Sequence, residues 1–129
     1  MKLIKGILLT LVISSIFAIT NNAKASDYYM TYNQISIPAN LFGNYYSDGF
    51  YDKINDYSHK LYTQNNSRSV SARINCTTGA SDWKTAVVGS WINWGSQCTS
   101  TPDLVELNIK SSSSIFSANY WGTWHFNLP

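Results

Sequence analysis

The chain has 129 residues, of which 44% are hydrophobic, 15% aromatic and only 12% charged, with a formal net charge of +2. Disordered chains are rich in charge and poor in aromatic residues, and collagen-like chains are rich in Gly and Pro, so both classes are excluded. The length corresponds to one domain, or to one domain with a processed segment.

The N-terminal part of the chain has the three features of an export signal. Two lysines precede an apolar run over residues 7–19, and residues 23–25 (Ala-Lys-Ala) form the small-x-small site that signal peptidase recognises. A membrane anchor is the alternative, but this run is too short for a ~30 Å hydrocarbon core at about 1.5 Å per residue. We therefore predict a signal peptide over residues 1–25 and a single secreted domain over residues 26–129, with no membrane span in the mature chain.

Removal of the signal changes the charge of the protein, because three of the nine basic residues lie within it. Residues 26–129 carry six basic and seven acidic side chains, a net charge of −1. Sequence-independent binding of nucleic acid requires clustered Lys and Arg, and none cluster here, so nucleic acid is excluded as a partner. Attraction to an anionic membrane by charge alone is not expected for the same reason.

The two cysteines, Cys76 and Cys98, remain in the mature chain. In an exported protein such a pair most simply forms a disulfide. A catalytic thiol would need a free thiolate beside a base, and the two cysteines and two histidines lack the spacing of a zinc site. The sequence therefore predicts one disulfide, no metal and no cofactor.

The first half of the mature chain predicts little regular structure. Residues 34–38 alternate in polarity and end at a proline, which is typical of an edge strand. Residues 39–49 are rich in turn formers. Residues 50–61 are ambiguous, because their tyrosines favour a strand whereas four side chains have helical spacing: Phe50, Ile54, Tyr57 and Leu61. We predict irregular structure there, with at most a short helix.

Polar and apolar residues alternate clearly after residue 67, which predicts strands over residues 69–76, 84–94, 104–110 and 118–128. The inward sets are Val70, Ala72, Ile74 and Cys76; Ala86, Val88, Ser90, Ile92 and Trp94; Val105, Leu107 and Ile109; and Tyr120, Trp124, Phe126 and Leu128. Glu106, Asn108 and Lys110 point outward. Short polar turns join the strands, so they pair antiparallel, and a second sheet must cover the apolar face of the first. An all-β protein with a small antiparallel β-sandwich is the predicted fold.

Three aspartates followed by a histidine form one candidate chemical site: Asp48, Asp52, Asp56 and His59. On a helix they would share a face and could hold a hard cation or act as an acid–base group. Aspartates four residues apart repel each other without an ion, however, and the dense carboxylates of a calcium loop are missing. The serines also lack the setting of a catalytic nucleophile. We predict that the protein is not an enzyme, with a small hydrolase as the least favoured alternative.

The aromatic residues are the more unusual feature. Two tryptophan pairs, at residues 91 and 94 and at residues 121 and 124, have a spacing that places the members of each pair on opposite faces of a strand. Trp94 and Trp124 belong to the inward sets, so Trp91 and Trp121 are predicted to point outward. Together with His125, Tyr45 and Tyr46 they could form an exposed surface for a sugar ring, a lipid headgroup or a protein partner. Coverage by the second sheet is the alternative.

Three stretches carry a resemblance to known proteins: residues 36–40, residues 46–48 and the closing run over residues 114–124. They resemble small secreted proteins of Gram-positive bacteria, including a group of unknown function. The aromatic C-terminal strand is also similar to that of the lactococcin 972 type bacteriocins. That resemblance implies an exported β-sandwich acting on cell-wall synthesis. The mature domain is longer than those bacteriocins and carries a disulfide that they do not require.

We therefore predict a secreted, non-catalytic binding protein, bacteriocin-like or directed at the cell envelope, whose partner is an envelope component or an extracellular protein. An extracellular enzyme inhibitor is the main alternative. In that case the turn over residues 77–83, inside the predicted disulfide loop and containing Asp82 and Trp83, would enter the active site of the target.

Overall fold

The computed structural model describes residues 28–129, so the predicted signal peptide over residues 1–25 lies outside the described residues. The described chain is an antiparallel β-sandwich with one short 3-10 turn at Leu41–Gly43. This confirms the predicted all-β fold. The strands are β1 (Tyr29–Ile37), β2 (Tyr46–Ser47), β3 (Tyr51–Lys53), β4 (Lys60–Asn66), β5 (Val70–Cys76), β6 (Gly79–Ala80), β7 (Lys84–Thr85), β8 (Trp91–Asn93), β9 (Asp103–Ser111) and β10 (Ala118–His125).

The strands form two sheets of different size. The four-stranded sheet has the order β1-β10-β4-β8, and the six-stranded sheet has the order β2-β9-β5-β6, with β3 also pairing with β9 and β7 with β5. Every pair is antiparallel. Strand β1 is an edge strand that ends just before Pro38, as predicted, although it begins at Tyr29 and is longer than residues 34–38.

The alternating segments form the core as the sequence predicts. Every second residue of β5 is buried, from Val70 to Cys76, and the inward residues of β9 are fully buried. Strand β10 alternates in the same way, with Trp124 as its largest buried side chain. A side chain on a strand alternates between the two faces, so this pattern turns one face of each sheet inward. Leu128 lies beyond the end of β10 and is only half-buried.

A disulfide between Cys76 and Cys98 joins the end of β5 to the loop after β8, with 5.9 Å between the two Cα atoms. The predicted pairing is confirmed. The two cysteines are 22 positions apart, and closing a loop of that length stabilises a domain by roughly 3 kcal/mol in the chain-entropy model. The bond therefore contributes a large share of the total for a domain of this size.

The prediction of one long strand over residues 84–94 is wrong. The segment contains two short strands in different sheets, β7 and β8, and the chain crosses between the sheets over residues 86–90. Gly89 has a φ of 78° in this turn, and Val87 and Val88 are 58% and 50% exposed. Ala86 and Ile92 are both buried. Ala86 lies at the start of the crossing and Ile92 after it, and both occupy the same positions in the alternation of inward and outward residues. The sequence therefore shows one continuous alternation across the crossing.

Residues 50–61 contain no helix. Strand β3 pairs with β9, residues 54–59 are irregular, and β4 begins at Lys60. Phe50, Ile54 and Tyr57 are exposed whereas Leu61 is buried, so their helical spacing does not mark a core face.

Glu106 and Asn108 point outward from β9, as predicted, but both are buried. Neighbouring side chains on this outer face cover them. The Glu106 carboxylate accepts hydrogen bonds from the hydroxyl of Ser47 at 2.5 Å and the amide of Asn75 at 2.8 Å, and the Asn108 carbonyl accepts one from Arg73 Nε at 3.0 Å. The outer face of the six-stranded sheet is therefore partly closed by its own polar side chains.

Candidate functional site

Ring side chains gather on the outer face of the four-stranded sheet. His125 of β10 lies opposite Tyr29 of β1 on one side and opposite Lys60 of β4 on the other. Beside them, Tyr62 of β4 lies opposite Trp91 of β8. The alternate residues of β10 are buried against the core, so the residues between them point away from it. We call the resulting surface the aromatic face; its members are Tyr29, Tyr62, Trp91, Trp121 and His125.

Trp91 lies between His125 and Tyr62 on the aromatic face and is 51% exposed. Its ring meets His125 edge-on, with 5.0 Å between the centroids, and lies tilted against Tyr62 at 5.2 Å. Tyr29 extends the row on the far side of His125, at 5.9 Å. Edge-to-face and tilted contacts of this kind are favourable between rings. They hold the indole in one orientation while half of its surface stays accessible.

A shallow cavity of about 370 Å³ adjoins Trp91. It is lined by Lys60, Trp91, Asn93, His125 and Pro129. The lining combines an indole and an imidazole with an ammonium and an amide group. Apolar walls with a few directional polar groups are typical of sites for small organic ligands.

His125 supplies a neutral polar group to this cavity. Partial burial lowers the pKa of His125, and the nearby Lys60 ammonium lowers it further. The imidazole is therefore neutral at neutral pH and presents one N–H donor and one nitrogen acceptor. A neutral imidazole can donate a hydrogen bond to a hydroxyl group or accept one from it.

Trp121 lies on the same face, opposite Asn65 of β4, and is half-buried. The register between β10 and β4 shifts directly after it. A Cβ atom at the next residue, Gly122, would lie 2.4 Å from the main-chain oxygen of Tyr62. Only glycine therefore allows β10 to approach β4 this closely.

Tyr45 and Tyr46 lie outside the aromatic face, because β2 belongs to the six-stranded sheet. The Tyr46 hydroxyl donates to Asp48 at 3.0 Å. Tyr45 packs against Trp83 at 5.9 Å, and the Arg73 guanidinium lies over both rings. The structure thus separates the five predicted binding residues. Trp91, Trp121 and His125 lie on the outer face of the four-stranded sheet, where Trp91 and His125 are in contact, and Tyr45 and Tyr46 lie with the six-stranded sheet.

Five residues of the site were not predicted from the sequence: Tyr29, Lys60, Tyr62, Asn93 and Pro129. The first lies at the start of β1, where no strand was predicted. Lys60 and Tyr62 lie in β4, where they alternate with the buried residues 61 and 63. That short alternation is a usable signal, but the helical spacing just before it pointed to a different structure.

The structure does not bring the three aspartates and His59 into one site. His59 is fully buried; its Nδ1 accepts the indole N–H of Trp124 at 3.3 Å and its Nε2 lies 3.0 Å from the carbonyl oxygen of Cys98. Burial lowers the pKa of His59 to about 4. Both ring nitrogens are engaged inside the protein, so this imidazole has no contact with a substrate.

Asp48 is held by tyrosines. Its carboxylate accepts hydrogen bonds from the hydroxyls of Tyr32, Tyr46 and Tyr51 at 3.1, 3.0 and 2.7 Å. Burial raises the pKa of Tyr32, and the negative charge of Asp48 raises it further. Within residues 28–129, no group of three or more His, Cys, Asp or Glu side chains is arranged to hold a metal ion.

The turn assigned to the inhibitor alternative is accessible. Thr77, Thr78 and the strand β6 that follows are exposed, and the disulfide anchors the base of this hairpin at Cys76. Trp83, at the far end of the turn, is half-buried beneath Arg73 and Lys110. The inhibitor function stays a prediction.

Comparison with protein-family models, with curated proteins and with solved structures finds no match to this chain. The part of the chain that the structure describes contains no helix with the length and hydropathy needed to cross a bilayer.

Proposed function

We propose that this is a secreted, non-catalytic protein that binds a glycan of the cell envelope through the aromatic face. The observation that carries the proposal is the setting of Trp91, which is half-exposed yet held by ring contacts on two sides. A disulfide between the two cysteines fits an extracellular protein.

The chemistry of the cavity beside Trp91 matches a sugar ring. A pyranose has an apolar C–H face that stacks on an indole and a rim of hydroxyl groups that require donors and acceptors. Lys60 and Asn93 provide donors next to the indole, and the neutral His125 provides a donor and an acceptor.

The sheet also limits the free-energy cost of binding. Trp91, His125 and Tyr62 lie on three hydrogen-bonded strands, so their relative positions are set by the sheet register before a ligand arrives. A preorganised surface loses little conformational entropy on binding, and a site on strands is more precise than one on loops.

The test compares Trp91→Ala with Trp83→Ala, which removes the same type of side chain from the turn just before β7 of the six-stranded sheet. Each variant is mixed with purified envelope polysaccharide and with intact Gram-positive cells, and the bound fraction is measured by sedimentation. We expect Trp91→Ala to reduce binding at least tenfold and Trp83→Ala to leave it within about twofold, because a central anchor residue typically contributes 2 kcal/mol or more. Equal binding by wild type and Trp91→Ala, with both proteins folded, would contradict the proposal.

A further inference from the structure

Four loops meet at one end of the sandwich, where the chain crosses between the sheets: residues 38–45, 67–69, 86–90 and 112–117. Main-chain hydrogen bonds tie them to one another and to the strand ends. Asn40 N–H donates to Ser113 at 2.8 Å, Ser112 N–H donates to Ser69 at 3.0 Å, and Ala86 N–H donates to the first residue of β5 at 2.9 Å. We call this group of loops the apolar end.

The apolar end exposes large hydrophobic side chains on three of its four loops. Phe42 is 95% exposed and Ile115 is 72% exposed. The remaining members are about half-exposed: Leu41, Val87, Val88 and Phe116. Phe42 also has a φ of 56°, a backbone conformation that is unfavourable for a bulky residue. Exposed apolar side chains concentrated at one end of a domain are typical of a surface that binds a membrane or another protein.

The distribution of charge distinguishes between these two partners. Arg68 is the single charged residue in the four loops, and its guanidinium lies 4.3 Å from the centre of the Phe116 ring. Acidic residues lie at the opposite end, where Asp52 belongs to β3 and Asp103 begins β9. The apolar end therefore carries one cation and no acidic side chain, whereas acidic and basic residues are mixed at the opposite end, where Lys53 ends β3 and Lys60 begins β4. A cation without neighbouring acidic groups is attracted to an anionic lipid surface.

The shape of the apolar end favours lipid over a protein partner. Its hydrophobic side chains lie on separate loops that also contain serines, asparagines and two glycines. A protein partner would need a pocket for each of these side chains, whereas the interface of a bilayer accepts scattered apolar and aromatic groups. We propose that the apolar end docks the protein onto the surface of a phospholipid bilayer, with Phe42, Ile115 and Phe116 entering the interface and Arg68 contacting anionic headgroups. This surface lies at the end of the sandwich, and the proposal does not depend on the aromatic face.

The first test is sedimentation with vesicles of phosphatidylcholine alone and of phosphatidylcholine with phosphatidylglycerol. The protein is collected from the medium of expressing cells, and its intact mass confirms that residues 1–25 are absent. The double variant Phe42→Ser with Ile115→Ser is compared with Phe50→Ser with Ile54→Ser, which removes side chains of 47% and 48% exposure from outside the apolar end.

We expect wild type to bind the anionic vesicles, the first double variant to bind at least tenfold more weakly, and the second to stay within about twofold. Arg68→Gln should weaken binding to anionic vesicles about fivefold, the effect of one cation near such a surface, and should not change binding to phosphatidylcholine. The proposal is overturned if wild type binds neither vesicle, or if the two double variants lose binding equally. A dimer abolished by Phe42→Ser, without vesicle binding, overturns it in favour of a second copy of the chain.

A second measurement keeps the apolar side chains in place. Phe42→Trp puts an indole at the tip of the apolar end, and Phe50→Trp puts one outside it. With vesicles of lipids brominated near the headgroup, we expect the fluorescence of Phe42→Trp to be quenched beyond that of wild type, and that of Phe50→Trp not to be. Equal quenching of the two variants would contradict the proposal. Retained glycan binding by all of these variants separates this result from the function of the aromatic face.

Discussion

Two histidines of this protein each contact a tryptophan, and the two pairs have opposite surroundings. His59 stacks on Trp124 inside the core, with 5.7 Å between the centroids and 22° between the planes. His125 meets Trp91 edge-on at 5.0 Å on the aromatic face. Both members of the first pair are fully buried, whereas Trp91 is 51% exposed. The same two residue types therefore form a structural element in one place and an accessible surface in the other.

The hydrogen bonds of the two pairs explain this difference. In the inner pair the indole N–H can only donate, so His59 Nδ1 accepts it and the proton lies on Nε2, which donates to the carbonyl oxygen of Cys98. Every polar atom of that pair is thus used within the protein. The outer pair meets through ring contacts and lines a cavity that is open to a ligand.

The largest effect is expected from breaking the inner pair with Trp124→Ala. Trp124 is fully buried and packs against Tyr51 and Phe126, with centroids at 5.7 and 4.7 Å. Removing a buried indole leaves a cavity and typically costs about 3–5 kcal/mol, and here it also removes the donor to His59. Urea denaturation of the two proteins measures the change in the free energy of unfolding. A loss below about 1 kcal/mol would show that the inner pair does not stabilise the fold.

An intermediate effect is expected from pH, and the inner pair should contribute most of it. The pKa of His59 is lowered from 6.5 to about 4 in the folded protein. Between these two values the unfolded chain binds a proton that the folded protein does not, so stability falls as the pH drops through this window. A difference of this size corresponds to a loss of about 3 kcal/mol.

Two measurements check the pH effect. Urea denaturation between pH 7 and pH 4 should give a falling free energy of unfolding, and NMR should follow the imidazole C–H signals of the two histidines. We expect His125 to titrate in the folded protein at a higher pH than His59, whose signal should not move above about pH 5. Simultaneous titration of both signals near pH 6.5 would contradict the contrast between the two pairs.

Much of the fold follows from the sequence because burial on one side of a strand imposes a period of two. Strands β5 and β9 are predictable for this reason. The disulfide is predictable because an exported chain with two cysteines most simply joins them. The crossing between β7 and β8 is not, because the inward residues on both sides of residues 86–90 have the same phase. The burial of Glu106 is also not predictable, since it depends on Ser47, which is distant in sequence.

The candidate site was predictable only in part. The spacing within each tryptophan pair identifies Trp91 and Trp121 as outward residues, and the strand phase adds His125. The contribution of Tyr62 depends on the pairing of β4 with both β10 and β8, which is a property of the topology. Tyr45 and Tyr46 lie far from Trp91 because β2 belongs to the six-stranded sheet and β8 to the four-stranded sheet. The sequence does not show to which sheet β2 belongs.

The smallest effect is expected from a double-mutant cycle on the outer pair, with Trp91→Ala, His125→Ala and the combination. Trp91 loses about half of its surface to its neighbours, so its removal should lower the free energy of unfolding by about 1 kcal/mol or less. The coupling between the two rings should be about 0.5–1 kcal/mol, the usual value for an edge-on ring pair. If Trp91→Ala lowers the free energy of unfolding nearly as much as Trp124→Ala, Trp91 stabilises the fold. Reduced glycan binding by Trp91→Ala would then result from unfolding. A small loss with a large binding defect assigns the outer pair to recognition, because the fold then persists without the side chain that the ligand requires.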